Sequence, residues 1–152
     1  MARKKYERNL VKKPAREVHA MVPGKIKGRE YPTMTYMSND LVPGCNVYIE
    51  FSWIWDMPEP NPHIFEHYHN YDEVVLHIGS DPNNPEDLGA EIEYVLGGET
   101  LIIDKTSAVF VPKGVKHGPL TWKRVDRPHI QMAIMLGAGT LAEAAPGGYA
   151  GK

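Results

Sequence analysis

Apolar and polar residues alternate along much of the chain with a period of two, which is typical of half-buried β-strands. The clearest run extends from Val47 to Trp55 and is followed by the proline-rich segment Met57–Pro62. We expect that segment to end the strand, since three prolines cannot continue a ladder. One face of the run is apolar: Val47, Ile49, Phe51, Trp53 and Trp55. Its three aromatic residues are predicted to pack in the core or, as the alternative, to form an apolar wall of a functional site.

Further extended segments are predicted over residues 67–78, 90–96, 100–103, 108–111, 120–125 and 129–136, separated by turn residues. The last two are expected to form a closing hairpin around Asp126-Arg127-Pro128. The only helix predicted is short, over residues 140–145. Many short strands between turn signals favour a sandwich or barrel, so the predicted fold class is all-β.

The division of the chain follows its charge and composition. Ten of the 17 Lys and Arg residues, but only two of the 19 acids, fall within residues 1–29. We therefore predict an irregular basic arm over 1–46 that packs on an acidic barrel or across a dimer, a barrel over 47–136, and a flexible tail over 137–152. Nucleic-acid binding by the arm is the weaker alternative, because the arm lacks repeated interleaving of aromatic and basic residues.

Bulk composition narrows the functional classes. The chain has 152 residues, 42% hydrophobic and 24% charged, which is ordinary for one soluble globular domain. No apolar run approaches the roughly 18 residues of a membrane span, and no apolar segment of a secretory signal follows the charged N-terminus. The single cysteine, Cys45, cannot form an internal disulfide. We therefore expect a cytoplasmic protein without a membrane partner.

Two short segments carry residues suited to a divalent transition metal. The first contains His67, His69 and Glu73, and the second, Pro112 to His117, ends in a histidine. Imidazole and carboxylate together are common ligands of such metals. On a regular strand, His67, His69 and Glu73 would project from one face, and His117 would approach from a turn after a later strand. Four buried polar side chains without a metal would leave several kcal/mol of desolvation uncompensated.

The paired segments resemble the two motifs of the cupin superfamily, H-x-H with a following E and G, and P-x-G-x-x-H. The matching residues are His67, His69, Glu73 and Gly79, then Pro112, Gly114 and His117. The position four residues after His117, often Asn in that family, is Thr121 here. The resemblance covers about residues 47–136. It implies a double-stranded β-helix (jelly-roll barrel) that binds one divalent metal ion per chain, Fe, Mn, Ni or Zn, through the three histidines and Glu73, and it implies a homodimer.

Other residues are candidates for roles beside the metal. His77, Tyr71 and Gln131 are interpreted as residues close to the metal that could assist catalysis, with core packing an equal alternative for His77. The expected function is metal-dependent, oxygenase-type chemistry on a small organic substrate. Lyase, isomerase or decarboxylase chemistry and non-catalytic binding of a small molecule stay open, because the cupin scaffold supports all of them.

Overall fold

A computed structural model describes residues 4–17, 21–22 and 24–144, and the structural statements below concern those residues. After a 3-10 turn at Glu7–Asn9, its elements follow in this order. They are β1 (Ala15–Glu17), β2 (Lys27–Arg29), β3 (Thr33–Met37), β4 (Val47–Glu59), β5 (Asp72–Gly79), β6 (Asp87–Leu96), β7 (Glu99–Lys105), β8 (Ser107–Val111), β9 (His117–Val125), β10 (His129–Leu136) and α1 (Leu141–Ala144). None of the described helices is long and apolar enough to cross a bilayer.

The strands form two antiparallel sheets that pack face to face. The larger sheet has the order β1-β3-β4-β10-β5-β8, with β2 also paired to β4, and the smaller has the order β7-β6-β9. Isolated bridges from Ile64 to Leu120 and from His67 to His117 place residues 64–67 beside β9 as a rudimentary fourth strand. A core shared by both sheets contains Ile54 and Trp122. Without β1, β2 and β3, which extend the β4 side of the larger sheet, the remaining strands and residues 64–67 have the order of an eight-stranded jelly roll. The predicted all-β fold class is therefore confirmed.

The predicted closing hairpin is wrong, because β9 and β10 belong to different sheets. β9 pairs with β6, whereas β10 lies between β4 and β5. The chain crosses between the sheets at Asp126 and Arg127, whose N–H groups donate to the carbonyl of Gly89 at 2.8 and 3.0 Å. A corner between sheets and a hairpin turn use the same residue types, so local sequence does not separate them.

The expected end of the first long strand is also wrong. β4 continues past Pro58 to Glu59 instead of stopping before the prolines. Its pairing with β10 reaches only Ile54, and beyond that point it pairs with β2, where Lys27 lies opposite Glu59. Within the described part of the chain, one edge of this extension therefore has no neighbouring strand, and proline is tolerated at such an edge.

The faces of β4 are the reverse of the prediction. Tyr48, Ser52 and Ile54 are fully buried inside the barrel, while Trp53 and Trp55 are 38% and 53% exposed. The tryptophans thus do not line the interior. Residues of β4, β10, β5 and β8 that share the side of Trp53 form an outer apolar face. They are Ile49, Phe51, Trp53, Val74, Leu76, Ile78, Phe110, Ile130, Met132 and Ile134.

The two ends of the chain contribute more regular structure than expected. β1, β2 and β3, all within the predicted irregular arm, join the larger sheet on the β4 side. They deliver Arg29 to a buried position. The predicted short helix is present as α1, and Ala144 at its end is fully buried. Residues 145–152, half of the predicted flexible tail, lie outside the described residues.

Candidate metal centre

The four predicted ligands converge at one end of the barrel. Glu73 is the second residue of β5 and His117 the first of β9. His67 lies opposite His117 in an isolated bridge, closed by two backbone hydrogen bonds of 2.9 Å. His69 is in the loop before β5, and its carbonyl accepts from Gly114 N–H at 3.0 Å. The expectation that three ligands share one strand face is therefore wrong, because only Glu73 belongs to β5.

The convergent atoms are close enough for one ion. One ring nitrogen from each of His67, His69 and His117 lies within 4.8 Å of the other two. Glu73 Oε2 is 2.7 Å from His69 Nε2 and 3.4 Å from His117 Nε2. All four side chains are buried, at 2–8% exposure. This arrangement is a three-histidine group with an adjacent carboxylate, and such a group could bind a metal.

Backbone carbonyls fix the orientation of each imidazole. The Nδ1–H groups of His67, His69 and His117 donate to the carbonyls of Phe65, Tyr71 and Val115 at 2.7, 3.0 and 2.8 Å. The Nε2 lone pairs then point toward the common centre, as they do in metal-binding histidines held by a second hydrogen bond. His117 Nε2 is buried and faces Glu73 Oε2 at 3.4 Å.

The electrostatics of the group fit a cation. Burial works to raise the pKa of Glu73, but hydrogen bonding to His117 and His69 outweighs it and lowers this pKa to about 2. Burial lowers the pKa of His67 to about 4. Near neutral pH the group therefore contains an ionised carboxylate and a neutral imidazole, the forms that bind metals. The carboxylate of Glu73 also lies 2.7 Å from His69 Nε2, so one cation could be shared by the carboxylate and the ring nitrogens.

Aromatic side chains hold the histidine rings in place. Tyr71 stacks on His69 with ring centroids 4.0 Å apart and an interplanar angle of 5°, and its hydroxyl donates to the carbonyl of Ala144. Tyr94 meets the ring of His117 edge-on at 6.4 Å. Tyr71, one of the predicted accessory residues, is thus placed where it positions a ligand.

A cavity that is partly open to solvent adjoins the four residues. Small-molecule sites are concave in this way. Gln131, predicted as an accessory residue, lines it, and its Oε1 accepts from Arg29 NH1 at 3.3 Å. The lining also includes residues that sequence reasoning missed, above all Glu50 and Tyr94. Burial raises the pKa of Glu50 to about 8, although Arg29 opposes the shift.

His77 is placed away from the cavity lining. It is fully buried, and neither ring nitrogen has a hydrogen-bond partner among residues 4–17, 21–22 and 24–144. Its neighbours are the rings of Trp122 and His129, at 6.3 and 6.5 Å. His63 is also buried, with Nε2 2.7 Å from Arg29 NH1. These residues form a second buried polar cluster beyond the metal group.

Comparison with known proteins places the chain by its fold. No known family profile and no curated protein sequence matches it. The strand order and the site at one end of the barrel decide the assignment. The chain has the cupin fold. It is similar in structure to a putative ethanolamine utilization protein from Salmonella typhimurium, with 18% identity, 82% of this chain and 79% of that chain covered, and a TM-score of 0.49.

Two further structural matches are weaker. An RmlC-like cupin from Shewanella frigidimarina has 13% identity over 78% of this chain and 83% of its own, with a TM-score of 0.46. A structure of DMSP lyases matches with 15% identity over 61% of this chain and a TM-score of 0.40, and the match covers 40% of that chain. With TM-scores below 0.5, the likeness to these proteins is one of fold alone.

Proposed function

We propose that this cupin is a metal-dependent enzyme that acts on a small organic substrate with oxygenase-type chemistry. The proposal rests on one observation, the convergence of three buried imidazoles, each held by a backbone carbonyl, on the carboxylate of Glu73. A purely structural role does not require three buried imidazoles to converge on one carboxylate at the edge of a cavity.

His67, His69, His117 and Glu73 would hold one divalent ion, Fe, Mn, Ni or Zn. Four protein ligands, three neutral and one anionic, leave up to two positions open in an octahedral ion and a net positive charge. When bound, iron would supply the ability to activate O₂ beside a substrate, and the other ions would polarise a substrate oxygen as Lewis acids.

The remaining residues of the cavity would bind and orient the substrate. Ile64, Val75 and Leu120 provide apolar lining, which favours exclusion of water from the reacting atoms. Tyr71 keeps the His69 ring in its orientation by stacking on it. The narrow, partly enclosed cavity favours a small organic molecule over a polymer.

A second candidate, Lewis-acid lyase, isomerase or decarboxylase chemistry, is favoured by Glu50. This side chain lines the same cavity, and burial raises its pKa to about 8. A carboxyl group with a pKa near neutrality is suited to give or accept a proton from a substrate. Oxygenase chemistry does not by itself require such a group, so the two candidates differ in their dependence on Glu50.

The test begins with protein purified without air and loaded with Fe(II). O₂ uptake is measured with an electrode on adding catechol and thiol compounds, with His117→Ala as the matched control. Substrate-dependent uptake that His117→Ala abolishes is the expected result. Absence of uptake, together with turnover of an added hydroxy acid that depends on Glu50, would favour the second candidate. A metal without exchangeable water would contradict both.

A further inference from the structure

The inner face of the larger sheet carries three successive rows of side chains, each set by the pairing of β4, β10 and β5. The first row contains the proposed metal ligand Glu73, the second contains Glu50, and the third contains Gln131. Successive rows lie two residues apart along each strand, which is about 7 Å. The rows are Tyr48–Met135–Glu73, Glu50–Ala133–Val75 and Ser52–Gln131–His77.

Gln131 has a fixed amide orientation. Arg29 NH1 donates to its Oε1 at 3.3 Å, and a guanidinium group can only donate. The amide oxygen therefore faces Arg29, and the NH₂ group is available to another partner. Since Gln131 lines the cavity, a ligand in the cavity is the natural acceptor. The buried charge of Arg29 behind the amide favours an acceptor that is negatively charged or strongly polar.

Glu50 offers a second donor one row closer to the metal group. It lines the same cavity, and burial raises its pKa to about 8, so its carboxyl group is protonated at pH 7. A protonated carboxyl group has an O–H to donate. The cavity then has hydrogen-bond donors at the second and third rows and a cation site at the first.

The third row contains more polar atoms than packing explains. Ser52 Oγ and both ring nitrogens of His77 flank Gln131 on its two sides, and all three atoms are buried without a hydrogen-bond partner in the described structure. Each unpaired buried group costs roughly 1–3 kcal/mol. Of this row only Gln131 lines the cavity, and Ser52 and His77 are buried beside it without lining the cavity themselves.

We propose that Glu50 and Gln131 form a second recognition pole that binds the distal oxygen atoms of an elongated ligand whose other end binds the metal. The inference deepens the proposed function and rests on it. The ligand class is a small molecule with oxygen functions at both ends, such as an aliphatic dicarboxylate. Glu50 and Gln131 lie one and two rows from Glu73, which is about 7 and 14 Å along the backbone. Because the side chains reach into the cavity from both ends, the remaining gap suits a chain of about four to six carbons.

The experiment measures ligand binding on Co(II)-loaded protein at pH 7. The visible absorption bands of Co(II) report changes among the groups bound to it, so a dissociation constant is obtained without any turnover. The probes are succinate, glutarate and adipate, each compared with the monocarboxylate of equal chain length: butyrate, valerate and hexanoate. At least one diacid is expected to bind about tenfold more tightly than its matched monoacid, the size of one or two hydrogen bonds.

Substitutions at Glu50 separate hydrogen bonding from size. Glu50→Gln keeps a neutral donor and should retain the preference for the diacid within about threefold, whereas Glu50→Leu should reduce it severalfold. Gln131→Leu should remove most of it. Because Gln131→Leu also takes an acceptor from Arg29, its thermal unfolding is measured in parallel, and the Glu50 pair keeps the test valid if that variant does not fold. Monoacid affinity and Co(II) stoichiometry should stay the same in each folded variant.

Two failures have different meanings. Normal Co(II) uptake by the unaltered protein with equal binding of diacids and monoacids would overturn this inference and leave the metal site intact. The same holds if Glu50→Leu keeps the full preference. Failure of the unaltered protein to bind Co(II) would overturn the proposed function, and this inference with it.

Discussion

Replacing the buried His77 by leucine should make the protein less sensitive to acid. Burial lowers the pKa of His77 to about 3, and the charges of His129 and Arg29 add to the shift. In the unfolded chain the pKa returns to about 6.5. The unfolded state therefore takes up the proton first, so the contribution of His77 to stability is complete above pH 6.5 and is lost as the pH falls toward 3.

The size of the effect follows from the two pKa values. Between pH 7 and pH 5, proton uptake by the unfolded state lowers the free energy of unfolding by about 2 kcal/mol for this one residue. His63 and His129, also buried and with pKa values lowered by burial to about 3 and 4, act in the same direction. The unaltered protein should thus lose several kcal/mol over this range, and His77→Leu should lose about 2 kcal/mol less.

The assay is urea denaturation of both proteins at pH 5, 7 and 8, followed by circular dichroism. A chelator is present throughout, so that proton-linked release of metal does not contribute. At pH 7 the variant should be at least as stable as the unaltered protein, because it removes two unpaired buried nitrogens. Between pH 7 and 8 the two proteins should differ by a constant amount.

The same loss of stability between pH 7 and 5 in both proteins would refute the reasoning. It would mean that His77 is hydrated or charged in the folded state. The variant also tests the role predicted for His77 from the sequence. If His77 acted beside the metal, His77→Leu would change metal affinity or ligand binding, and we expect both to be unchanged because the residue does not line the cavity.

Three further outcomes are expected. His117→Ala should lose most of the bound metal by elemental analysis while keeping its β-rich circular dichroism, and full retention of metal would refute the ligand assignment. Light scattering should give twice the 17.1 kDa chain mass, because two copies can bury the outer apolar face. Phe110 on this face is 55% exposed, and Phe110→Lys should shift the mass toward that of the monomer. A monomeric mass for the unaltered protein would contradict this. Gly118→Ala should weaken metal binding at least tenfold, since its Cβ would overlap the carbonyl oxygen of Phe65 beside His67 and Gly118 has φ +93°. Unchanged affinity would show that the 65–67 segment adapts freely.

The four candidate ligands could be found from the sequence although their secondary structure was predicted wrongly. His67 and His69 lie in a loop segment, held by a bridge to His117 and a hydrogen bond from Gly114. The alternation of an extended chain still directs both rings inward, so the spacing of the motif identifies residues that converge without requiring a regular strand.

The faces of β4 could not be predicted by the usual rule that apolar residues point inward. Glu50 and Ser52 face the interior because the barrel encloses a polar cavity, while Trp53 and Trp55 lie on the outer face. The predicted alternation is present, but because the interior is polar, the polar side chains of β4 point inward and the tryptophans outward. The strand partners of β9 and β10 could not be predicted for a different reason. The possible partner strands have similar apolar patterns, so local sequence does not distinguish them.

The most direct test of the metal site is elemental analysis combined with anomalous scattering from crystals of protein that was never exposed to added metal. The account predicts close to one equivalent of Fe, Mn, Ni or Zn per chain, with an anomalous peak among the Nε2 atoms of His67, His69 and His117 and an oxygen of Glu73. A chain free of metal after purification, with no uptake when micromolar metal is added, would contradict it.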